Sequence, residues 1–242
     1  MPVLRVDHAT PANDEGLRRP SGENQALCME IYLLKPAKIF LFIYNYIYPF
    51  IGFPLLLWLW VRDGNLAFAV LTMGLPLVFG YLVPGIGTNI LKMWRFRGPC
   101  MIGNYFIHHG FIYASTMGLG LYLAFFPANQ LDPWNILGNM LRTAGLVGFV
   151  GWWHDIMAVR EGVIEIYNGP WKRGASPETI VSHSTPLCYA LLGASYAAIV
   201  TLGYQVLVTQ HRNTGNLWWL FPLGFVLMTI LSSVPYLLME PR

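Results

Sequence analysis

Charged residues are scarce in this chain of 242 residues. Asp, Glu, Lys and Arg together make up 11% of it, whereas ordinary soluble domains contain about 25%. Hydrophobic residues make up 55%. A composition so poor in charge and so rich in apolar residues excludes a soluble core of ordinary design and predicts a membrane protein. The chain also lacks a block of Lys and Arg, which argues against a nucleic-acid surface.

Cysteine is equally rare. The chain has 3 cysteines, Cys28, Cys100 and Cys188, and their spacing is not that of a metal site. On the topology predicted below, all of them lie near the cytoplasmic face, where thiols stay reduced. We therefore expect no disulfide framework.

The first 35 residues lack the apolar region that a secretory signal peptide needs. They include Arg5, Arg18 and Arg19 together with acidic, Pro and Gly residues. The acidic residues argue against a mitochondrial transit peptide. We interpret residues 1–35 as a polar N-terminal cytoplasmic segment and residues 36–242 as a single transmembrane helical domain.

Long apolar stretches fill the rest of the chain, and a membrane span takes about 20 mainly apolar residues. The stretches that qualify are about 39–61, 66–87, 101–126, 142–159, 185–208 and 217–238. The segments between them, such as 127–139, have the composition of turns and loops. The sequence therefore predicts an all-α fold, a polytopic membrane helical bundle with about six transmembrane helices.

The basic residues are distributed unevenly between the two sides of such a bundle. One side receives the N-terminal segment, the second and fourth loops and the C-terminus, and the other receives only Arg62, Arg142 and Arg212 of the 15 basic residues. Because Lys and Arg concentrate on the cytoplasmic side, both termini are predicted to be cytoplasmic. The largest loop, 160–184, lies on the same side, so we expect the function there.

Several ionisable residues fall within or beside the apolar stretches, where each needs a partner or a function. His108 and His109 are predicted to lie roughly 12–13 Å inside the third span. Neighbouring helical residues are about 100° apart, so one of the two faces the bundle and the other turns aside. His154 and Asp155 are predicted at a similar depth in the fourth span. We predict that these residues form one polar site.

Two further carboxylates follow the fourth span. If its helix continues through Ile166, then His154, Glu161 and Glu165 share one face, because their spacing is i, i+7 and i+11. A carboxylate beside a histidine raises the pKa of the imidazole and fixes its tautomer. Without that continuation, Glu161 and Glu165 belong to a solvated helix end that pairs with nearby basic residues.

Other residues near the cluster are predicted to contact a substrate. His183 precedes the fifth span among Ser and Thr residues that favour a helix start, so capping competes with a site role. Aromatic faces stabilise cationic carbon, and the aromatic residues expected at the site are Tyr105, Tyr113, Trp152 and Trp153. The segment 167–174, Tyr-Asn-Gly-Pro-Trp-Lys-Arg-Gly, is typical of a turn followed by an anchor in the headgroup layer.

An acid, a base and an aromatic pocket suit a membrane enzyme that transfers protons on a lipophilic substrate. We predict an isomerase or cyclase acting on an isoprenoid, sterol or other lipid in a cytoplasm-facing cavity. The predicted catalytic residues are His154, Asp155, Glu161, His108 and His109. The predicted substrate contacts are Tyr105, Tyr113, Trp152, Trp153, Glu165 and His183.

Two alternatives stay open at this point. The first is an oxidoreductase with a single metal ion or a haem, because histidines and carboxylates from several helices could ligate iron or another metal. No two histidines have the i, i+3 or i, i+4 spacing that places two ligands on one helical face, and we predict no cofactor. The second is a non-catalytic subunit of a membrane assembly or a proton-coupled transporter. An internal repeat would favour a transporter, and the sequence shows none.

Overall fold

The structure is a computed structural model that describes residues 36–128, 130–210 and 214–239. The predicted polar segment 1–35 lies outside the described residues, so the division at residue 36 stays a prediction. The chain separates into two units, Met1–Ile39 and Phe40–Arg242. Described residues 36–39 of the first unit begin a helix. All contacts discussed below belong to the second unit.

Helices make up most of the described chain. Four helical stretches in it are long and apolar enough to cross a membrane, Pro36–Asp63, Leu66–Ile90, Thr185–Thr209 and Thr214–Met239. A mainly helical structure with four candidate membrane-spanning helices among the described residues is therefore confirmed. The α-helices are α1 (Pro36–Phe42), α2 (Tyr48–Asp63), α3 (Leu66–Gly85), α4 (His109–Ala124), α5 (Pro133–Arg160), α6 (Gly169–Lys172), α7 (Pro177–Ser182), α8 (Thr185–Tyr204) and α9 (Leu217–Met239). The π-helical segments Ile43–Ile47, Ile86–Ile90 and Gln205–Thr209 join α1 to α2 and extend α3 and α8.

The two helices that carry the predicted histidines differ from these four. Helix α4 has 16 residues, about 24 Å of length, while the hydrocarbon core of a bilayer is about 30 Å thick. Helix α5 has 28 residues, but it contains Asn139, Arg142, His154 and Asp155. The count of six crossings therefore stays a prediction.

The predicted start of the third span at residue 101 is wrong. Strand β2 (Met101–Ile102) pairs with β3 (Tyr105–Phe106) in a tight hairpin, and the helix begins only at His109. Gly103 adopts φ 60° in the hairpin turn, a left-handed conformation that glycine accepts without steric cost. An apolar run of this kind does not by itself distinguish two short strands from a helix.

The predicted external loop 127–139 is also wrong in its second half. Helix α5 already begins at Pro133, because the Asp132 carboxylate accepts hydrogen bonds from the backbone N–H groups of Trp134 and Asn135. Asp at the N-cap followed by Pro at the first helical position is a strong helix start. Arg142 therefore lies within a helix and donates from Nε to the Ala124 carbonyl at the end of α4.

A second two-stranded sheet replaces the predicted continuation of α5. Helix α5 ends at Arg160, so the stripe of His154, Glu161 and Glu165 does not form. Strand β4 (Ile164–Ile166) pairs antiparallel with β1 (Trp94–Phe96). Side chains alternate across a strand, and the four terminal residues of this pair line an internal cavity. The central pair, Arg95 and Glu165, has the opposite orientation and forms an ion pair.

Helices α3 and α8 lie at the centre of the core. Their buried side chains include Phe68, Leu75 and Tyr196, and the Tyr196 hydroxyl donates to the Thr72 carbonyl at 2.6 Å. The outer helices α2 and α9 instead expose large apolar side chains along their length. A soluble protein rarely exposes so much contiguous apolar surface, so these faces suit contact with lipid.

Small residues bring α5 against α8. A Cβ atom on Gly151 would lie 2.5 Å from the ring of Tyr189, and one on Gly193 would lie 2.9 Å from the Thr143 carbonyl oxygen. Side chains at these positions would force the helices apart. The close approach brings Tyr189 of α8 beside the turn of α5 that carries His154 and Asp155.

Candidate functional site

His154 and Asp155 form a hydrogen-bonded pair near the C-terminal end of α5, which is predicted to lie on the cytoplasmic side. The Nδ1 atom of His154 lies 2.9 Å from Oδ1 of Asp155, and the two residues are only 8% and 7% exposed. A carboxylate accepts this bond, so the Nδ1 atom carries the hydrogen. The Nε2 atom of a neutral imidazole is then free to accept a proton.

His108 and His109 begin α4 instead of lying 12–13 Å inside a span, so the predicted depth within the helix is wrong. Both are nevertheless buried, and they point to different surroundings. The Nε2 atom of His108 bonds the Asn45 carbonyl oxygen at 2.6 Å. Neither ring nitrogen of His109 has a hydrogen-bond partner among residues 36–128, 130–210 and 214–239. Its ring packs 4.7 Å from that of Phe96 and 5.2 Å from that of Tyr113.

A small polar pocket joins these residues. It has a volume of about 40 Å³ and is lined by His109, His154 and Asp155, together with Tyr44, Asn45, Thr116 and other residues. A pocket of this size and polarity can hold a water molecule. The Nε2 atom of His154 and both nitrogens of His109 are buried, and no described residue bonds them. The structure thus brings His109, predicted in the third span, together with His154 and Asp155, predicted in the fourth.

A larger cavity adjoins the polar pocket. Its volume is about 290 Å³, at the lower end of the range for small-molecule sites. Its walls come from α3, α8, α9 and the β1–β4 sheet, and they are mainly apolar. Of the described residues in the lining, Asp155 alone is charged. The lining residues Ile86 and Leu237 are 46% and 47% exposed, so the cavity reaches the apolar surface of the bundle.

Four residues line both spaces: Phe96, Tyr113, Asp155 and Tyr189. The phenol groups of Tyr113 and Tyr189 interact with each other and lie within electrostatic range of Asp155. Tyr44 packs its ring 4.5 Å from that of His154 and bonds Thr116 through its hydroxyl at 2.7 Å. The arrangement therefore places proton donors and acceptors at one wall of an apolar cavity.

The other aromatic residues predicted at the site lie elsewhere. Tyr105 packs its ring 5.8 Å from that of His109 but lines neither cavity. The Nε1 atom of Trp152 donates to the Ser182 hydroxyl at 2.9 Å. Trp153 is 44% exposed on the outside of α5. Of the four predicted aromatic residues, only Tyr113 reaches the cavities.

The predicted carboxylates and His183 also lie outside both cavities. Glu165 forms ion pairs with Arg95 and Arg97, and not with the basic residues near the end of α5. Glu165 also accepts from the Tyr167 hydroxyl at 2.8 Å. Burial raises the pKa of Tyr167, and the bond to Glu165 adds to the shift. Glu161 ends α5, and the Nε2 atom of His183 lies 3.3 Å from the Met239 carbonyl oxygen.

Some residues at the site were not predicted from the sequence. Asn45 is an amide in the middle of an apolar run, which is a signal for a polar site within a membrane. Tyr44 lies beside it. Tyr189 and Thr229 carry no such signal, because a single Tyr or Thr in an apolar helix is ordinary. Their placement depends on how α8 and α9 pack.

Within the described part of the chain, no group of three or more His, Cys, Asp or Glu side chains is arranged to hold a metal ion. Comparison with protein-family models, curated proteins and solved structures found no match for this chain. The geometry of the two cavities therefore carries the functional argument.

Proposed function

We propose that the chain is a six-span integral membrane enzyme that transfers protons on a lipophilic substrate, as an isomerase or cyclase. Helices α4 and α5 would supply the remaining two spans. Both termini would lie in the cytoplasm, on the side of the β1–β4 sheet. Exposed basic residues support this orientation, since Lys92, Arg97, Lys172 and Arg173 lie at that end of the bundle.

The observation that carries the proposal is the position of Asp155. Its carboxyl group lines the apolar cavity and the polar pocket at once, and it bonds His154. A lipophilic molecule in the large cavity would thus meet one ionisable pair, and the histidines of the small pocket would exchange protons with it. General acid–base groups placed in this way accelerate proton transfer by about 10²–10⁴-fold.

The proposed reaction begins when the protonated Asp155–His154 pair donates its proton to a carbon of a double bond. The positive charge that develops on the neighbouring carbon is stabilised by aromatic faces, among them Tyr113, Tyr189 and Phe96. Loss of a proton from an adjacent carbon to the Asp155–His154 pair restores neutrality. One proton enters and one leaves, so the product is an isomer of the substrate, cyclic if a second double bond attacks the cation.

Deuterium incorporation tests this proposal without knowledge of the substrate. Purified protein in nanodiscs is incubated with isoprenoid and sterol extracts in D₂O, and carbon-bound deuterium is measured by mass spectrometry. We expect one lipid class to gain deuterium, and Asp155→Asn and His154→Ala to slow the gain by about 100-fold or more. Asp63→Asn is the matched control, because Asp63 pairs with Arg62 at the opposite end of the bundle.

Two outcomes would overturn the proposal: no carbon-bound deuterium with any extract, or full activity in folded Asp155→Asn protein. The alternatives also separate here. A non-catalytic subunit or a proton-coupled transporter would leave lipids unlabelled, and a haem or metal oxidoreductase would show a cofactor band or a stoichiometric metal in the purified protein. No contact among the described residues favours one of these alternatives over proton transfer.

A further inference from the structure

We propose that the substrate is an uncharged lipophilic molecule with one hydroxyl or carbonyl oxygen, which Thr229 and Ser233 of α9 bind. The inference rests on the proposed function, because it names the substrate class of the same 290 Å³ cavity. It excludes the anionic head groups of small lipids, namely phosphate and diphosphate esters and free carboxylic acids.

The charge of the cavity wall gives the first argument. Among the described residues, no Lys or Arg belongs to the lining, and the one charged residue in it is Asp155. An anionic head group would lose its hydration without gaining a cation and would lie near a like charge, both of which are costly. Arg95 lies in strand β1 between Trp94 and Phe96, which line the cavity. Its side chain has the opposite orientation, because side chains alternate across a strand. A neutral ligand avoids these costs.

A row of hydroxyl groups gives the second argument. Thr229, Ser233 and Tyr236 of α9 line the cavity at spacing i, i+4 and i+7, which places them on one helical face. Thr185 of α8 lines the same cavity. The remaining walls are mainly apolar. A mainly apolar pocket with a few grouped polar atoms is the usual design for binding an amphipathic ligand in one orientation.

The hydrogen bonding of the Thr229 hydroxyl differs from that of an ordinary hydroxyl group within a helix. Serine and threonine inside a helix usually bond a carbonyl one turn earlier, as Ser232 does with Met228 at 2.6 Å. Thr229 does not, and its Oγ1 atom is buried without a hydrogen-bond partner in the part of the chain that the structure describes. A buried hydroxyl without a partner costs free energy. A ligand oxygen at this point would remove that cost.

Three probes with one carbon skeleton test the inference: geraniol, the corresponding hydrocarbon dimethyloctadiene, and geranyl diphosphate. Binding to the full-length protein is measured by calorimetry in one detergent. We expect geraniol to bind about tenfold more tightly than the hydrocarbon, as one hydrogen bond to a buried hydroxyl allows. We expect geranyl diphosphate to bind more weakly than either. Thr229→Val should remove the preference for geraniol and leave the affinity for the hydrocarbon unchanged.

Thr143→Val is the matched control. The Thr143 hydroxyl is also buried without a partner, but Thr143 lines neither cavity, so this variant should keep the preference for geraniol. If Thr229→Val does not fold, Ser233→Ala serves as the second variant, with the same loss of preference expected. Ser233 lies one turn further along the same face of α9.

Equal affinities of the wild-type protein for geraniol and the hydrocarbon would overturn the inference, as would tighter binding of the diphosphate. A variant at Thr229 that weakens both neutral probes equally would also overturn it. These results are independent of the deuterium experiment. Equal binding together with labelling that depends on Asp155 would refute only the substrate class, whereas selective binding without any labelling would refute only the enzyme.

Discussion

His108 and His109 are sequence neighbours with opposite environments. The Nε2 atom of His108 forms a hydrogen bond with the carbonyl oxygen of Asn45, which belongs to the π-helical segment Ile43–Ile47. His109 is 3% exposed, and neither of its ring nitrogens contacts a protein partner. A buried polar group without a partner destabilises the fold. The structure thus separates a histidine that bonds the backbone from one whose ring nitrogens have no partner among the described residues.

Leucine substitutions should affect the two histidines in opposite directions. His109→Leu should raise the free energy of unfolding by about 1 kcal/mol, because it removes unsatisfied nitrogens, and it should lower the deuterium labelling rate. His108→Leu should lower stability by about 1–3 kcal/mol, because it leaves the Asn45 carbonyl without its donor. Thermal and denaturant unfolding in one detergent measures both. A His109→Leu variant that loses stability while keeping full activity would contradict the functional assignment.

The sequence predicted part of this site at the level of residues. The cost of ionisable groups in apolar segments singled out His109, His154 and Asp155, which the structure brings to one pocket. The same reasoning could not separate His109 from His108, because the difference lies in the carbonyl of Asn45 more than 60 residues away. Nor could it place Tyr189, since that depends on the packing of α8.

At the scale of elements, the contact between α5 and α8 sets the geometry of the site. Gly151 lies one turn before Asp155, and Tyr189 packs against it so closely that a Cβ atom would meet the ring at 2.5 Å. Tyr189 lines both cavities. A change in this helix contact should therefore move a wall of the site.

Alanine substitutions along α5 test that contact. Gly151→Ala should lower the free energy of unfolding by about 1–3 kcal/mol, because the added methyl group overpacks the interface. It should also weaken geraniol binding, since Tyr189 must move. Gly145→Ala is the control, because a Cβ atom there meets nothing within 4 Å, and it should stabilise the helix by about 0.5–1 kcal/mol. Equal effects of the two variants would show that the α5–α8 contact is not tight at Gly151.

The elements that the sequence did not predict are the shortest ones. Strands β1 and β4 have 3 residues each, too few for an alternating pattern to be recognised. Their pairing joins segments about 70 residues apart, which no local rule predicts. The start of α5, in contrast, has a local signal in the sequence, because Asp132 and Pro133 form a recognisable N-cap. The apolar runs of α3, α8 and α9 were long enough to be predicted directly.

At the scale of the whole molecule, polarity is divided between the two ends of the bundle. The end with the β1–β4 sheet carries exposed Lys92, Arg97, Lys172 and Arg173. The opposite end carries Arg62, which pairs with Asp63, and Arg142, which caps the end of α4. Basic residues concentrate on the cytoplasmic side of membrane proteins. This distribution predicts that the cavity and its sheet lie on the cytoplasmic half.

Cysteine labelling tests this orientation directly. Cys100 is exposed beside the sheet, and Gln130 is exposed at the opposite end. Two proteins are compared, each with one cysteine: the Cys28→Ser, Cys188→Ala variant, which keeps Cys100, and a Gln130→Cys variant without the native cysteines. A membrane-impermeant maleimide applied to intact cells should label the protein with Gln130→Cys but not Cys100. Permeabilisation should make Cys100 reactive, because the predicted topology places it in the cytoplasm. The reverse pattern would place both termini outside, and with them the end of the bundle where Asp155 meets the cavity.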